Sequence, residues 1–514
     1  MEVLSKRAIW SRNTALAVDR ITIEDYGMTS LDLMEEAGLR VANSAIKRLV
    51  NFDLVLVLVG PGNNGGDGLV AARHISRVFK NTQVLMVCHK GAKETEAFNT
   101  QINKFGKDAV KKYLGNISDL LAGRIFIIDA LIGVGQRGRL RDGVYKEVLE
   151  KIADYPHKFV MAVDVPSGLQ VDSWVESPPL QADVTITFGA LKPSHVFSPG
   201  RSYCGHIEVA EIGFDSRAIK TAVDSQLDLF WDYDLVRSLE PWGKSLSAAG
   251  HKYQRGHVLI IGGSAGKYGA PIISATAALH AGAGWVSVAL PSGLDRLADM
   301  PTEVTYESFF QAGSVDWDRA INFVKERRVK ALCIGPGMMT TPFTQSSWQK
   351  LKALISDEGV FVVIDAGALA GLGPLLDTEP LKGDCLLTPH PGEWLKIHAD
   401  NKPLDNLTAI AMAKSRIQAW GVEVFYKSAT PFSVGMDGPV LVNNEGNNCL
   451  AKAGVGDMLA GLATILGTRM STGFLGNLCQ SYMAWSAARR ENVYGYHGLS
   501  PYDIAKHVGA VIPK

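Results

Sequence analysis

The sequence predicts an α/β protein made of two successive doubly wound domains. Three observations carry this expectation. Short β-prone apolar runs alternate with segments long enough for crossover helices, a glycine-rich turn follows the leading strand of each half, and 514 residues exceed what one ordinary core accommodates.

From Asn13 to Val50 apolar residues recur at helical spacing, among them Leu31, Met34, Leu39, Val41, Ile46 and Leu49, which predicts two packing helices. The pattern then changes to the unbroken run Leu54–Val59, suited to a strand buried on both faces. Further strands are predicted at Val84–Val87, Ile125–Ile128, Phe159–Val163 and Val184–Phe188. Between Asp215 and Trp242 the strand signal fades, so the boundary is placed near residue 225, giving domains 1–225 and 226–514. The second half restarts with a strand at His257–Ile261, a glycine turn and an alanine-rich helix, Ile272–Ala283. Strands follow at Ala331–Ile334, Val360–Ile364, Cys385–Leu387 and Val424–Tyr426.

Lysine plus arginine equals aspartate plus glutamate at 52 each, so no overall positive field draws the chain to nucleic acid or an anionic bilayer. No apolar run approaches the ~20 residues of a membrane-spanning helix. The six cysteines, Cys88, Cys204, Cys333, Cys385, Cys449 and Cys479, include no C-x-x-C pair and read as reduced thiols. Met1–Trp10 lacks the apolar core of a secretory signal. A cytoplasmic homo-oligomer acting on small molecules, with no membrane or nucleic-acid partner, is expected.

In the first half, VGPGNNGGDGLVAARHI (Val59–Ile75) runs from strand through glycine turn into helix, bringing backbone amides close to a ligand. G-x-G-x-x-G is poorly matched, and Asp67 would repel a pyrophosphate, so a standard dehydrogenase is disfavoured. Two later strands run into acids, Asp129 in DALIGVGQRGRL and Asp164 in DVPSGL. In an open parallel sheet such loops converge on one crevice, although each aspartate taken singly would serve as a cap or loop anchor. Asn64, Asp129 and Ser167 offer only oxygen donors with one formal charge, which suits a hard, weakly charged cation better than zinc.

LMEEAG, VGPGNNGGDGLVAARH, DALIGVG, VDVPSGL and TFGALKP occur in an order that resembles the NAD(P)H-hydrate epimerase family, over roughly residues 10–215. The resemblance implies a Rossmann-like doubly wound sandwich. It further implies that Asn63, Asn64, Gly65, Gly66 and Asp67, the loop Gly133, Val134, Gly135, Gln136, Arg137, Gly138 and Arg139, and Asp164 bind the hydrated cofactor. Asn64, Asp129 and Ser167 would hold K+. Asp164 is the candidate proton-handling group, because inverting a hydroxyl beside the ring nitrogen needs an acid or base in reach. Lys192 is its candidate partner, with an exposed, solvated lysine as the alternative.

In the second half, NNEGNNCLAKAGVGDMLAGLATIL holds a small-residue turn, Ala453–Gly456, then Asp457 and an apolar helix. Such a turn presents amides to a transferring phosphoryl group while the acid serves as base; a glycine turn with Asp457 as plain N-cap is the alternative. G-x-G-D resembles the ribokinase-like superfamily, and GGSAGKYGA, CIGPGM and TPHPGE narrow the resemblance to the ADP- or ATP-dependent NAD(P)H-hydrate dehydratase family, over roughly residues 240–514. The resemblance implies that Ala270, Gly337, His390 and Asp457 contact the hydrated NADH or NADPH, and that Lys427, Ser428, Ala429, Thr430, Pro431 and Gly456 meet ADP or ATP with Mg2+. Lys427 is expected to offer its charge to phosphates. Two glycines usual in the family's nucleotide run are absent from Lys427–Pro431, so Ser428 and Thr430 are expected to crowd the nucleotide. Two alternatives stand beside this reading: a ribokinase-like small-molecule kinase, and a nucleotide sensor whose C-terminal domain does not turn over.

Overall fold

The computed structural model describes residues 8–512 apart from 90, 114, 137, 139, 141–142, 173–178, 224–228, 232–251, 292–300, 312–313, 382, 399–403, 437 and 471. The chain divides into two compact units, Met1–Asp228 and Leu229–Lys514.

The first unit is built on a seven-stranded parallel sheet. Its strands are β1 (Leu54–Val59), β2 (Thr82–Met86), β3 (Val110–Lys112), β4 (Ile125–Ala130), β5 (Lys158–Val163), β6 (Val184–Phe188) and β7 (His206–Ala210), in the order β3-β2-β1-β4-β5-β6-β7. The apolar run of β1 is explained by the layers around it. Val55, Val57 and Val59 enter one core with the helices Ser30–Ile46 and Asn63–Ile75, and Leu54, Leu56 and Leu58 enter the opposite core with the helix Val144–Asp154. Two crossovers depart from the expected helices. Among the described residues the links from β5 to β6 and from β6 to β7 carry no helix longer than Pro193–Val196, and the first of them begins the loop at Asp164.

The second unit holds a ten-stranded mixed sheet. In chain order its strands are β8 (Leu229–Trp231), β9 (His257–Ile261), β10 (Trp285–Ala289), β11 (Thr305–Glu307), β14 (Ala331–Ile334), β15 (Phe361–Ile364), β16 (Cys385–Leu387), β17 (Glu423–Tyr426), β18 (Phe432–Val434) and β19 (Leu441–Asn443). The pair β12 (Phe310–Gln311) and β13 (Ser314–Val315) stands apart from that sheet. The sheet order is β11-β10-β9-β14-β15-β16-β17-β18-β19-β8, parallel as far as β17 and antiparallel through β18 to β19. β8 lies where the strand signal fades, because three residues on a sheet edge are too few to show a period. The alanine-rich helix begins and ends earlier than expected, at Gly269–His280. Pro271 fits its first turn, where no N–H is needed, and Gly282 at φ 98° follows its end.

That helix packs against Val455–Leu466, and glycine sets how closely. A Cβ on Gly461 would lie 2.0 Å from the Ser274 carbonyl oxygen. Ser274 Oγ also donates to the Asp457 carbonyl oxygen at 2.8 Å, so this contact fixes the height of Asp457. Alanine normally stabilises a helix interior by about 1 kcal/mol over glycine, but the clash here is with backbone and outweighs it. Gly461→Ala is therefore expected to destabilise the second unit by about 1–3 kcal/mol in chemical denaturation of the full chain. A rise in the unfolding midpoint would contradict the close approach.

Candidate functional site

In the first unit a cavity of about 700 Å³ opens where β1, β4, β5 and β6 end. Asn63, Asn64, Asp67, Gly133, Val134, Gly135, Gln136, Asp164 and Lys192 all line it. Gly65 and Gly66, expected at the ligand, do not. A Cβ on Gly65 would meet the Gly60 carbonyl oxygen at 1.9 Å and one on Gly66 would meet Met34, so these glycines let the turn fold onto itself and onto a helix. Gly138 likewise lies off the cavity, and Arg137 and Arg139 fall outside the described residues. Gln136 ties the loop down, donating from Nε2 to the Gly168 carbonyl (3.2 Å) and accepting from the Gly168 N–H (3.1 Å).

Asp164 leaves β5 with φ 67°, a left-handed geometry that aspartate tolerates better than most side chains. Its Oδ1 accepts from Lys192 Nζ at 2.7 Å and from Thr187 Oγ1 at 3.0 Å. Lys192 Nζ also donates to Thr187 Oγ1 (2.7 Å) and the Phe188 carbonyl (3.0 Å), and at 2% exposure it is no solvated surface lysine. Burial alone would raise the Asp164 pKa, but the Lys192 ammonium beside it holds the carboxyl below its ordinary value. His195, whose Nδ1 accepts from the Lys192 N–H at 3.1 Å, is pushed down to about 3 by burial, with Lys192 adding to the shift, and is neutral. Asp67 behaves oppositely to Asp164. Burial drives its pKa well above the carboxylate range, and Asp164 and Asp19 push it further. Asp19 is missed by sequence reasoning because its helix carries no motif; Thr187 stands inside TFGALKP and was open to view.

Of the candidate cation ligands Asn64 lines the cavity, and Asp129 and Ser167 are fully buried off it. Ser167 donates to Asp129 from Oγ (2.6 Å) and from its N–H (2.8 Å), while Asn64 sits against Gly133 in the loop that follows Asp129. Asp129 is fully buried, and no cationic side chain pairs with it among the described residues. Asn64 Nδ2 is buried with no partner. A buried carboxylate without a counter-charge beside the Ser167 hydroxyl fits a monovalent cation, which Asn64 could meet only through its Oδ1 because the unpaired Nδ2 is a donor.

In the second unit Ala270, Gly337, His390 and Asp457 line one cavity of about 610 Å³. Gly337 has φ 75°, and a Cβ there would lie 2.4 Å from the Lys267 carbonyl oxygen, so glycine is required. His390 faces the cavity and also caps the helix Pro391–Ile397, its Nδ1 accepting from the N–H groups of Gly392 (3.0 Å) and Glu393 (3.3 Å). Asp457 lies in the first turn of Val455–Leu466, with Gly454 at φ 97° before it. Burial, then the charge of Asp365, lifts the Asp457 pKa to about 7, against a smaller opposing pull from Lys427.

Lys427 differs from its expected role as a cation open to phosphates. Its Nζ lies 2.5 Å from Asp365 Oδ1 and 3.7 Å from Glu393 Oε2. Burial would depress its pKa, but Asp365 and Glu393 hold it above the ordinary lysine value. It lies close to Gly456, where a Cβ would come within 3.2 Å of Nζ. Ser428 Oγ donates to the Thr430 carbonyl at 2.6 Å, and Thr430 is buried. Lys267 and Lys396 line the cavity and are the cations that face it. Asp365 ends β15 as Asp129 and Asp164 end their strands, a signal present in the sequence at FVVIDAG but not used.

Comparison with known proteins divides the chain in the same way. The family model described as YjeF-related protein N-terminus matches residues 30–194, and the model described as NAD(P)H-hydrate dehydratase matches residues 258–508. The bifunctional NAD(P)H-hydrate repair enzyme of Moorella thermoacetica is 34% identical over 465 residues, covering 87% of this chain and 85% of its own. That of Archaeoglobus fulgidus is 31% identical over 450 residues, covering 86% and 85%. The solved ADP/ATP-dependent NAD(P)H-hydrate dehydratase from Bacillus subtilis, crystallised with ATP/Mg2+, is 25% identical, with a TM-score of 0.44 over 55% of this chain and 96% of that one. Both halves thus match, in order, across most of their relatives' length, and the chain belongs to the family of bifunctional NAD(P)H-hydrate repair enzymes.

Proposed function

We propose that the protein repairs hydrated nicotinamide cofactors, its first unit interconverting the R and S forms of NAD(P)H hydrate and its second dehydrating the S form at the expense of ADP or ATP. The observation that carries this is the pair of cavities, each placing an acid shifted from its ordinary pKa at the carboxyl edge of a sheet, Asp164 downward in the first and Asp457 upward in the second.

In the first unit Asp67, kept protonated by burial, gives its proton to the departing C6 hydroxyl as the ring nitrogen's lone pair breaks the C6–O bond. Asp164, kept ionised by Lys192, takes a proton from the water that adds back to the opposite face, and the two acids exchange roles in the reverse direction. Asn64, Asp129 and Ser167 would hold K+, which supplies positive charge behind the loop that carries Gly133–Gln136. In the second unit Asp457 accepts the hydroxyl proton as the phosphoryl group moves from ADP or ATP to the C6 oxygen, releasing AMP or ADP. The C6–O bond then breaks with the ring nitrogen's lone pair, phosphate leaves, and loss of the C5 proton restores the double bond. The backbone at Gly454 and the ammonium groups of Lys267 and Lys396 would receive the phosphates, and Mg2+ accompanying the donor would supply further positive charge to them, while Asp365 and Glu393 pair with Lys427. A small-molecule kinase of the same fold would instead leave a stable phosphorylated product.

Incubation with mixed epimers of hydrated NADH plus ATP and Mg2+ tests the whole reading by recovery of the reduced ring's absorbance. The parent converts both epimers; Asp164→Asn is expected to slow conversion of the R form by about 100-fold or more while sparing the S form, and Asp457→Asn to abolish dehydration of both. Equal losses on both epimers in Asp164→Asn would contradict the division of labour. Replacing K+ by choline is expected to lower R-form conversion and the melting temperature of the parent, and to leave Asp129→Asn indifferent to the exchange.

The pH dependence follows from Asp457. As a base it must be ionised, so kcat/KM for the S form should rise with pH through about 7. Its folded pKa lies above the unfolded value of 3.8, so the folded state binds the proton more tightly and loses stability as pH climbs from about 4 to about 7. Asp457→Asn is therefore expected to melt several degrees above the parent at pH 8, with the gap closing at pH 4. A gap that widens toward acid would show the opposite shift.

A further inference from the structure

A second cavity in the C-terminal unit, about 660 Å³ in volume, adjoins the one that holds Asp457. The two share Met338 and Met339 as a common wall. Both signature loops of this domain cross that wall. Gly263 and Ser264 of GGSAGKYGA line the second cavity, whereas Gly266, Lys267 and Ala270 of the same run line the first. In CIGPGM, Gly337 opens on the first cavity and Met338 on both. Hydrogen bonds stitch the loops together at this crossing, from Ser264 Oγ to the Gly337 carbonyl at 2.7 Å and from the Gly263 N–H to the Pro336 carbonyl at 2.8 Å.

The reaction brings two nucleotides to Asp457, the hydrated dinucleotide and the phosphoryl donor. About 610 Å³ is the space of a single small-molecule site, and the reacting ring and the transferring phosphoryl group must both enter it. On the proposed donor side Gly456 lies against Lys427, while Met338 and Met339 lead away into the neighbouring cavity. We infer that this second cavity binds the adenosine end of the hydrated dinucleotide. The inference rests on the dehydratase reading and extends it to substrate recognition.

The chemistry of the lining suits that end of the molecule. Hydroxyl groups predominate, with Thr340, Thr341 and Ser346 beside Ser264, and they can donate to or accept from ribose hydroxyls and adenine nitrogens. Asp318, held by Lys350 Nζ at 2.5 Å across two helices, supplies a carboxylate of the kind that accepts from a ribose hydroxyl. Contacts made this far from the reacting carbon act through binding and orientation, so the adenosine end anchors the ring against Asp457.

The full-length enzyme can be assayed for dehydration of two substrates, hydrated NADH and hydrated reduced nicotinamide mononucleotide, which lacks the adenylate half. Thr341→Trp fills the cavity and Asp318→Asn removes its carboxylate. Thr341→Trp is expected to raise KM for hydrated NADH about tenfold or more and to leave kcat/KM for the mononucleotide within about twofold, with Asp318→Asn showing a smaller loss confined to the dinucleotide. An unchanged KM for hydrated NADH in both variants overturns the inference alone, as does an equal loss on the two substrates. A parent enzyme inactive on both overturns the dehydratase reading and the inference with it.

Discussion

A lysine held against a buried aspartate at the carboxyl edge of the sheet is the interaction on which each half of this molecule depends. Asp164 follows β5 and meets Lys192, which comes just after the neighbouring β6; Asp365 follows β15 and meets Lys427, which comes just after β17. Either charge alone would be costly in so apolar a setting, and the pair is affordable only because hydrogen bonds from Thr187 and Thr388 complete the aspartates' coordination. Once formed, each pair organises the field around it. One charge is neutralised locally, and a neighbouring acid without a cation of its own is shifted upward, Asp67 in one unit far enough to hold its proton and Asp457 in the other to about 7, where it still ionises to serve as base.

This shared logic serves different chemistry because the two edges are framed differently. In the first unit the glycine turn after β1 closes on itself through Gly65 and presents the asparagines Asn63 and Asn64 to the cavity. A neutral, polar wall faces the acids there, as proton exchange on a small ring requires. In the second unit the turn before Asp457 is all small residues, and Lys267 and Lys396 add positive charge to the same cavity. That arrangement suits the movement of a phosphoryl group. The half-buried Lys427 is held by Asp365 and Glu393 and serves as a scaffold for these acids.

Much of this was legible in the sequence, and what was not has a physical cause. Strands buried on both faces, such as Leu54–Val59 and His257–Ile261, announce themselves as unbroken apolar runs. Short edge strands such as β8 and β3 carry no period and went unseen. Acids that end strands were visible as a class, and Asp129 and Asp164 were found in that way; Asp365 obeys the same rule without a flanking motif to draw attention. The fates of Lys192 and Lys427 were harder to foresee. A lysine after a strand is exposed far more often than buried, and only the neighbouring strand's aspartate decides otherwise. Likewise Gly65 and Gly66 read as ligand-facing, but their missing side chains serve the packing of Gly60 and Met34.

The central claim is electrostatic, and carboxyl-selective 13C NMR titration of aspartate in the full chain tests it most directly, comparing the parent with Lys192→Met and Lys427→Met. If the buried ammonium groups set the protonation of the acids around them, the Asp164 resonance in the first variant and the Asp457 resonance in the second will titrate at higher pH than in the parent. Unmoved titration curves in both variants would contradict the account.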